Sequence, residues 1–296
     1  MILAVTGITG HSGGYFLEQL IGNHFDGTLR CLVRETSRTA ELDASGLTVE
    51  KVVGKIDDPA SLRRLVDGAD TVVHIAGIWY TIGLLEAIEA VGGVKHVILV
   101  HTSGIYSKHK MASQVYKDIE ERMQPFLDRG MNVTLVRPTM IFGDLCDHNI
   151  SKFIRMVDRF PIMPQIDRGE AFVQPVNARD LGQAYYKAAM HDKLPELSYI
   201  CSGERPVTVR ELCAMIGTFL GKKTRFVSVP MGVGVVGAKA VKALSRGKAD
   251  YVEKVLRLGE DRSFSHEAAT RDFGYEPEPF EIGLKREVEE YLNARK

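Results

Sequence analysis

Met1-Ile-Leu-Ala-Val-Thr-Gly-Ile-Thr-Gly-His-Ser-Gly-Gly14 opens the chain, and its reading decides the fold. Ile2 to Val5 is a short apolar run with the character of a strand, and it leads directly into three glycines spaced three apart, Gly7, Gly10 and Gly13. Tyr15, Phe16, Leu17, Leu20 and Ile21 then recur with helical spacing. Strand, glycine turn and helix, in that order, are the setting in which such a glycine pattern marks a pyrophosphate site. Gly7 permits the tight turn, Gly10 lets the backbone approach the phosphates, and Gly13 lets the helix lie close to the strand. The helix N-terminus adds unpaired N–H groups and a partial positive charge. Thr9, His11 and Ser12 fill the turn between these glycines and are expected to touch the same anion.

The next two hundred residues keep this rhythm. Strand-like runs at Thr28–Val33, Thr48–Val52, Thr71–Ile75, His96–His101, Val133–Arg137 and Ser198–Cys201 alternate with amphipathic stretches at Ser61–Val66, Ile82–Val91, Ala112–Leu127 and Ala178–Met190. Alternation of this kind predicts an α/β fold, a doubly wound parallel sheet of the Rossmann type with helices on both faces and ligands at the carboxyl ends of the strands. After Arg137 the rhythm breaks. Asp147 to Pro175 carries Pro161, Pro164 and Pro175 and reads as an inserted loop-and-helix region. Thr208–Leu220 is an amphipathic helix, and Ser228–Pro230, Met231–Leu244 and Ile282–Leu292 complete a smaller C-terminal part. The division expected is residues 1–145 and 176–201 for a dinucleotide-binding unit, with 146–175 and 202–296 for substrate.

Composition narrows the function. A chain of 296 residues can bury a sizeable core, and 45% hydrophobic with 26% charged residues is ordinary for a soluble globular protein. Lys plus Arg and Asp plus Glu number 38 each, so there is none of the basic excess that a nucleic-acid partner leaves. No stretch reaches the ~18 apolar residues needed for a membrane span, and Met1–Val5 is too short for a secretory signal. Met231–Leu244 is apolar but interrupted by Lys239 and Lys242, and reads as a helix of the substrate part rather than a membrane-surface element. Cys31, Cys146, Cys201 and Cys213 are scattered without a C-x-x-C, as in a reducing, cytoplasmic setting. The histidines do not cluster with acids or cysteines at ligand spacing, so no metal is expected. The expected partner is a small-molecule substrate, and a homodimer is compatible with the sequence.

Seven motifs in order resemble the extended, and especially the atypical NmrA-like, short-chain dehydrogenase/reductases of the NAD-dependent epimerase/dehydratase group. They are Thr6-Gly-Ile-Thr-Gly-His-Ser-Gly13, Asp57-Asp-Pro-Ala-Ser-Leu62 with Gly68-Ala-Asp-Thr-Val-Val-His-Ile-Ala-Gly77, Thr102-Ser103, Val136-Arg-Pro138, Pro175-Val-Asn-Ala-Arg-Asp-Leu181, Ser202-Gly-Glu-Arg-Pro-Val-Thr-Val-Arg-Glu-Leu212 and Phe273-Gly-Tyr-Glu-Pro277. The resemblance covers nearly the whole chain. It implies a nicotinamide dinucleotide across the strand ends and a substrate held by the C-terminal part, with Met140–Gly143 and Asn177–Asp180 flanking it.

The second half of the cofactor is read from the end of the second strand, which meets the adenosine ribose in this fold. An acid there would bond a 2′-hydroxyl; this chain has Arg34, with Glu35 next and Arg38 close by. A guanidinium suits a 2′-phosphate and stacks on adenine, which favours NADP while Glu35 keeps NAD open. Where the family commonly has an Asp after the glycine ending strand three, Lys55 follows Gly54, so that either Asp57 or Asp58 contacts adenine or the base is held less specifically. Small residues at Ala76 and Gly77 would let the dinucleotide pass the sheet edge, and His74 reads as a packed core histidine.

Redox members of the family use a Ser or Thr at the end of strand five and a Tyr-x-x-x-Lys on the next helix. A phenol titrates near 10, and a neighbouring ammonium is needed to lower it for proton transfer near neutrality. Thr102, four residues before Tyr106, fills the hydroxyl position better than Ser103. Aligning the acidic end of the helix Ala112-Ser-Gln-Val-Tyr-Lys-Asp-Ile-Glu-Glu121 puts either Ala112 and Tyr116, or Ser113 and Lys117, at the Tyr and Lys positions. Neither restores the pair. The nearby Tyr-x-x-x-Lys is Tyr106-Ser-Lys-His-Lys110, whose i to i+4 spacing works if both residues are helical, although Tyr106 also matches a family tyrosine lining the substrate side. Thr102, Tyr106 and Lys110 are the catalytic candidates. Two functions stay open: an oxidoreductase or epimerase acting on a carbonyl or hydroxyl of a small metabolite such as a sugar nucleotide, or a non-catalytic NADP-binding sensor or assembly factor of NmrA type.

Overall fold

The opening strand lies in the middle of the sheet in the computed structural model, which describes residues 1–245 and 251–295, apart from the side chains of residues 110–112. The strands are β1 (Ile2–Thr6), β2 (Thr28–Val33), β3 (Thr48–Val53), β4 (Thr71–His74), β5 (His96–Val100), β6 (Val133–Pro138) and the strand Ser198–Cys201. Their order across the sheet is Ser198–Cys201, β6, β5, β4, β1, β2, β3, with every pairing parallel. The direction of winding reverses between β1 and β4, which opens a crevice at their carboxyl ends. This is the Rossmann α/β fold that the alternation predicts.

Successive side chains of a strand face opposite ways, and both faces of β1 are buried. Leu3 and Val5 pack with Phe16 and Leu20 of helix α1 (His11–Gly22) and with Leu181 and Tyr185, while Ala4 packs with Leu65, Leu85 and Met123. The helices after α1 are α2 (Ala40–Asp43), α3 (Pro59–Val66), α4 (Thr81–Val91), α5 (Lys110–Asp128), α6 (Ile150–Arg159), α7 (Ala178–Ala189), α8 (Val209–Phe219), α9 (Met231–Leu244), α10 (Val252–Arg257), α11 (Glu267–Phe273) and α12 (Phe280–Asn293). A third apolar core joins α6, α8 and α12 through Ile154, Leu212, Ile216 and Leu284, with Phe142 edge-on to Phe280 at 5.5 Å. Among the described residues no helix is long and apolar enough to cross a membrane.

The segment read as loop and helix holds more order than its prolines suggest. Ile162–Ile166 is a strand, paired in parallel with Arg225–Val229, and Pro164 lies within it opposite Val227. The pair is only two strands wide, so a residue lacking an N–H can face outward without breaking a ladder. A second short pair, Met140–Phe142 with Pro175–Asn177, brings the loop after β6 alongside the start of α7.

Candidate active site: a dinucleotide cleft and an adjoining pocket

The turn after β1 is shaped by what a side chain would strike. Gly7 has φ +82°, and a Cβ there would stand 2.8 Å from the Ala76 nitrogen at the end of β4. A Cβ on Gly13 would overlap the Gly7 carbonyl, so Gly13 is the packing residue that seats α1 against the turn. Gly10 caps α1 with no side-chain hydrogen bond, which leaves the first N–H groups of the helix for an anion. Gly7, Thr9, Gly10, His11 and Ser12 line a cleft of 830 Å³. A cradle that any Cβ would fill, free helix donors and this volume fit a dinucleotide.

At the far end of the cleft stand Arg34, Ser37, Gly54, Lys55 and Asp57. Ser37 Oγ accepts the Arg34 N–H at 3.0 Å and fixes the backbone there. Of the two acids weighed for the adenine contact, Asp57 lines the cleft. Asp58 is used to cap α3, accepting from Ser61 N at 3.0 Å and Ser61 Oγ at 2.5 Å, and these bonds hold its carboxyl below the usual carboxylate range. Lys55, a departure from the family, puts a second cation beside Arg34, and the sequence carried it in plain view.

A loop over the cleft was not anticipated as part of it. Ile141 and residues Cys146 to Asn149 line the cleft. Asp144 ties this loop to α1: His11 Nε2 lies 3.2 Å from its Oδ1, and the Tyr15 hydroxyl donates to its Oδ2 at 3.3 Å. Beneath, the Gly143 N–H donates to Glu287 Oε2 at 3.1 Å. Glu287 is fully buried; that burial first, and the neighbouring Asp147 carboxyl second, push its pKa up to about 10.

The reacting end lies where β4 and β5 stop. Ala76, Gly77 and Tyr80 line the cleft there. His74 is fully buried against Thr6 Oγ1 at 2.7 Å; burial, helped by His101, lowers its pKa to about 4, so it is a neutral core residue. Thr102, Tyr106, Thr139, Met140 and Asn149 line a second pocket of 190 Å³, and Asn149 is also on the cleft wall. Thr102 Oγ1 accepts the Gly104 N–H at 3.0 Å, which orients the hydroxyl and leaves its proton to donate. The Tyr106 ring rests on Phe264 at 5.7 Å and under the Arg137 guanidinium at 5.6 Å. Asn177 and Asp180 are drawn away from this pocket: Asn177 caps α7 and bonds Glu278, and Asp180 is buried, accepting the Glu278 N–H.

Tyr106 and Lys110 do not lie on one continuous helix. Tyr106 closes the 3-10 turn Ser103–Tyr106, Ser107 and His109 are extended, and Lys110 begins α5. Ser107 Oγ and the Lys108 N–H both donate to Glu260, which pulls the connection out of helical conformation. The Lys110 side chain lies outside the described residues. Farther along α5, Glu120 faces the sheet and Glu121 faces solvent. Glu120 accepts from Arg137 at 2.5 and 2.8 Å and lies 3.0 Å from His101 Nδ1. Burial works to raise its carboxyl, but these bonds outweigh it and hold the pKa at about 2. Tyr116, not Lys117, shares that inward face, with its ring 5.8 Å from Trp79.

Known proteins agree with this architecture. A 2-alkyl-3-oxoalkanoate reductase from Shewanella oneidensis is 24% identical over 95% of this chain and 84% of its own length. A nucleoside-diphosphate-sugar epimerase from Pseudomonas aeruginosa superposes with a TM-score of 0.76 at 17% identity, covering 99% of this chain and 98% of that one. A UDP-glucuronic acid 4-epimerase from Bacillus cereus, solved with UDP-glucuronic acid and NAD, gives 0.70 at 14% identity over 99% and 100% of the two chains. At these identities the structures speak for the fold. The family profile described as NAD(P)H-binding matches residues 7–154, half of the chain, from the glycine turn through β6 into α6. With the cleft where that profile requires it, the chain belongs to the NAD(P)H-binding family.

Proposed function

We propose that the protein is an NADP-dependent oxidoreductase that acts on a carbonyl or hydroxyl of a small metabolite, with residues 1–145 and 176–201 holding the cofactor and 146–175 and 202–296 the substrate, except that Cys146 to Asn149 also reach the cofactor cleft. The observation that carries this reading is a pair of cavities that share Asn149 in their walls, one of dinucleotide size and one small with Thr102 and Tyr106 in its lining. The reductase relative supports redox chemistry.

Gly7, Gly10, Gly13 and the N-terminus of α1, with Thr9, His11 and Ser12, would hold the pyrophosphate. Arg34 and Lys55 would pair with the 2′-phosphate, the feature that favours NADP over NAD, with Asp57 near adenine. Ala76 and Gly77 would let the nicotinamide end pass β4. When bound, the nicotinamide supplies or takes the hydride at the substrate carbon. Thr102 would donate a hydrogen bond to the substrate oxygen and polarise it, and Tyr106 would pass the proton to that oxygen. Lys110 would lower the phenol's pKa and touch the ribose.

The broken Tyr106–Lys110 helix favours a second reading, an NADP-binding sensor without turnover. Loss of NADPH absorbance with a panel of carbonyl compounds separates the two. For an enzyme, Tyr106→Phe should cut turnover ~10²-fold at unchanged cofactor affinity. Full turnover in that variant removes Tyr106 from the mechanism, and no turnover with any carbonyl alongside tight NADPH binding supports the sensor.

A further inference from the structure

The smaller pocket carries two arginines with which no acid pairs directly among the described residues. Arg257, the last residue of α10, and Arg262, bridged to Val173, line it together with Thr102 and Tyr106. The Nε of each is buried and without a hydrogen-bond partner, and neither arginine belongs to an ion pair among the described residues. The two acids between them in sequence, Glu260 and Asp261, line the same pocket but are hydrogen-bonded to other groups. Glu260 accepts from Ser107 Oγ at 2.9 Å and Lys108 N at 2.6 Å, and Asp261 accepts the Phe172 N–H at 2.9 Å. Burial first, and then the nearness of Arg257, lower the pKa of Arg262 despite Glu260. Two half-buried guanidinium groups facing one cavity are unfavourable unless an anion joins them.

We propose that Arg257 and Arg262 form a carboxylate subsite, and that the substrate is a small oxo acid whose carboxylate they hold while its carbonyl meets Thr102. This rests on the oxidoreductase reading above. A planar guanidinium binds a carboxylate through two parallel hydrogen bonds, and Ser103 adds a hydroxyl to the same lining. The volume selects the size of the anion: 190 Å³ lies below the roughly 300–1,000 Å³ of pockets that take drug-sized ligands. A short acid fits within it.

Calorimetric titration of the whole protein with malonate, which has carboxylates but no reducible carbonyl, reads the subsite without turnover. Malonate should bind the wild type, Arg262→Gln and Arg257→Gln should each weaken it tenfold or more, and Arg262→Lys should recover part of the loss. In the NADPH assay, kcat/KM for acetoacetate over its neutral methyl ester should fall at least tenfold in Arg262→Gln. Malonate that fails to bind, or binds the glutamine variants as well as wild type, overturns the subsite, as does UDP displacing malonate at lower concentration. Malonate binding that depends on both arginines, with no oxo acid reduced, keeps the subsite and removes the oxidoreductase reading.

Discussion

At the scale of single residues, three glycines in one turn have separate duties, and substitution should tell them apart. Gly10 has an ordinary φ of −87°, and a Cβ there would come no nearer than 3.1 Å to the Gly7 carbonyl. Gly10→Val should therefore fold, while its side chain intrudes on the phosphate path; calorimetry should show NADPH binding lost with Tm nearly kept. Gly13→Val instead drives a side chain into the turn's own backbone, so its Tm should drop. Undiminished NADPH affinity in folded Gly10→Val would place the pyrophosphate elsewhere. Arg34 makes a different kind of contact. Losing a charge-assisted bond costs on the order of 1.5–3 kcal/mol, so Arg34→Ala should weaken NADPH by roughly tenfold or more and spare NADH. Lys55→Ala should act in the same sense, and equal losses for both cofactors would show that neither cation reads the 2′-phosphate.

At the scale of elements, α5 shows what a sequence carries and what it withholds. The strand–turn–helix of β1 and α1 is legible because each residue's role is local: apolar run, glycine, helical period. The sheet strands are legible for the same reason, the inner ones being apolar runs buried on both faces. The register of α5 is not, because Glu120 and Glu121 are adjacent acids of equal propensity and only the packed helix shows which one meets Arg137. The break in helix between Tyr106 and Lys110 was hidden for a related reason, since i to i+4 spacing sets no geometry once Glu260, about 150 residues on in sequence, draws Ser107 and Lys108 into an extended link. Arg257 and Arg262 were passed over because isolated arginines read as surface until a pocket gathers them. The ionic link of α5 to β6 should be stabilising. Arg137 and Glu120 are mostly buried, and breaking such a pair by removing one partner typically costs about 3–5 kcal/mol. Glu120→Ala should lower Tm markedly. Because the folded Glu120 pKa is depressed to about 2, its contribution is present above the ordinary carboxylate range and lost as pH falls through that value. A Glu120→Ala protein with wild-type Tm would show that the link is not stabilising.

At the scale of the molecule, the C-terminal helix reaches back to the cofactor cleft through one buried carboxyl. Glu287 sits on α12, holds the Gly143 N–H and lies beside Asp147, whose loop lines the cleft. Its folded pKa is raised from 4.5 to about 10, so between those values the native state binds a proton that the unfolded chain has released. Stability must then fall as pH rises across that window, by up to about 1.4 kcal/mol per pH unit from this group, and be fully present only below the unfolded pKa. Glutamine keeps the shape and the carbonyl acceptor for Gly143 but has no proton to lose. Glu287→Gln should therefore match the wild type in acid and have the higher Tm at alkaline pH, the gap widening as pH rises. Glu287→Leu separates charge from hydrogen bonding: it also escapes the pH slope but orphans the Gly143 N–H, so its Tm should lie below that of the glutamine variant at every pH. Parallel Tm curves for wild type and Glu287→Gln from acid to alkali would mean that Glu287 does not carry the extra proton.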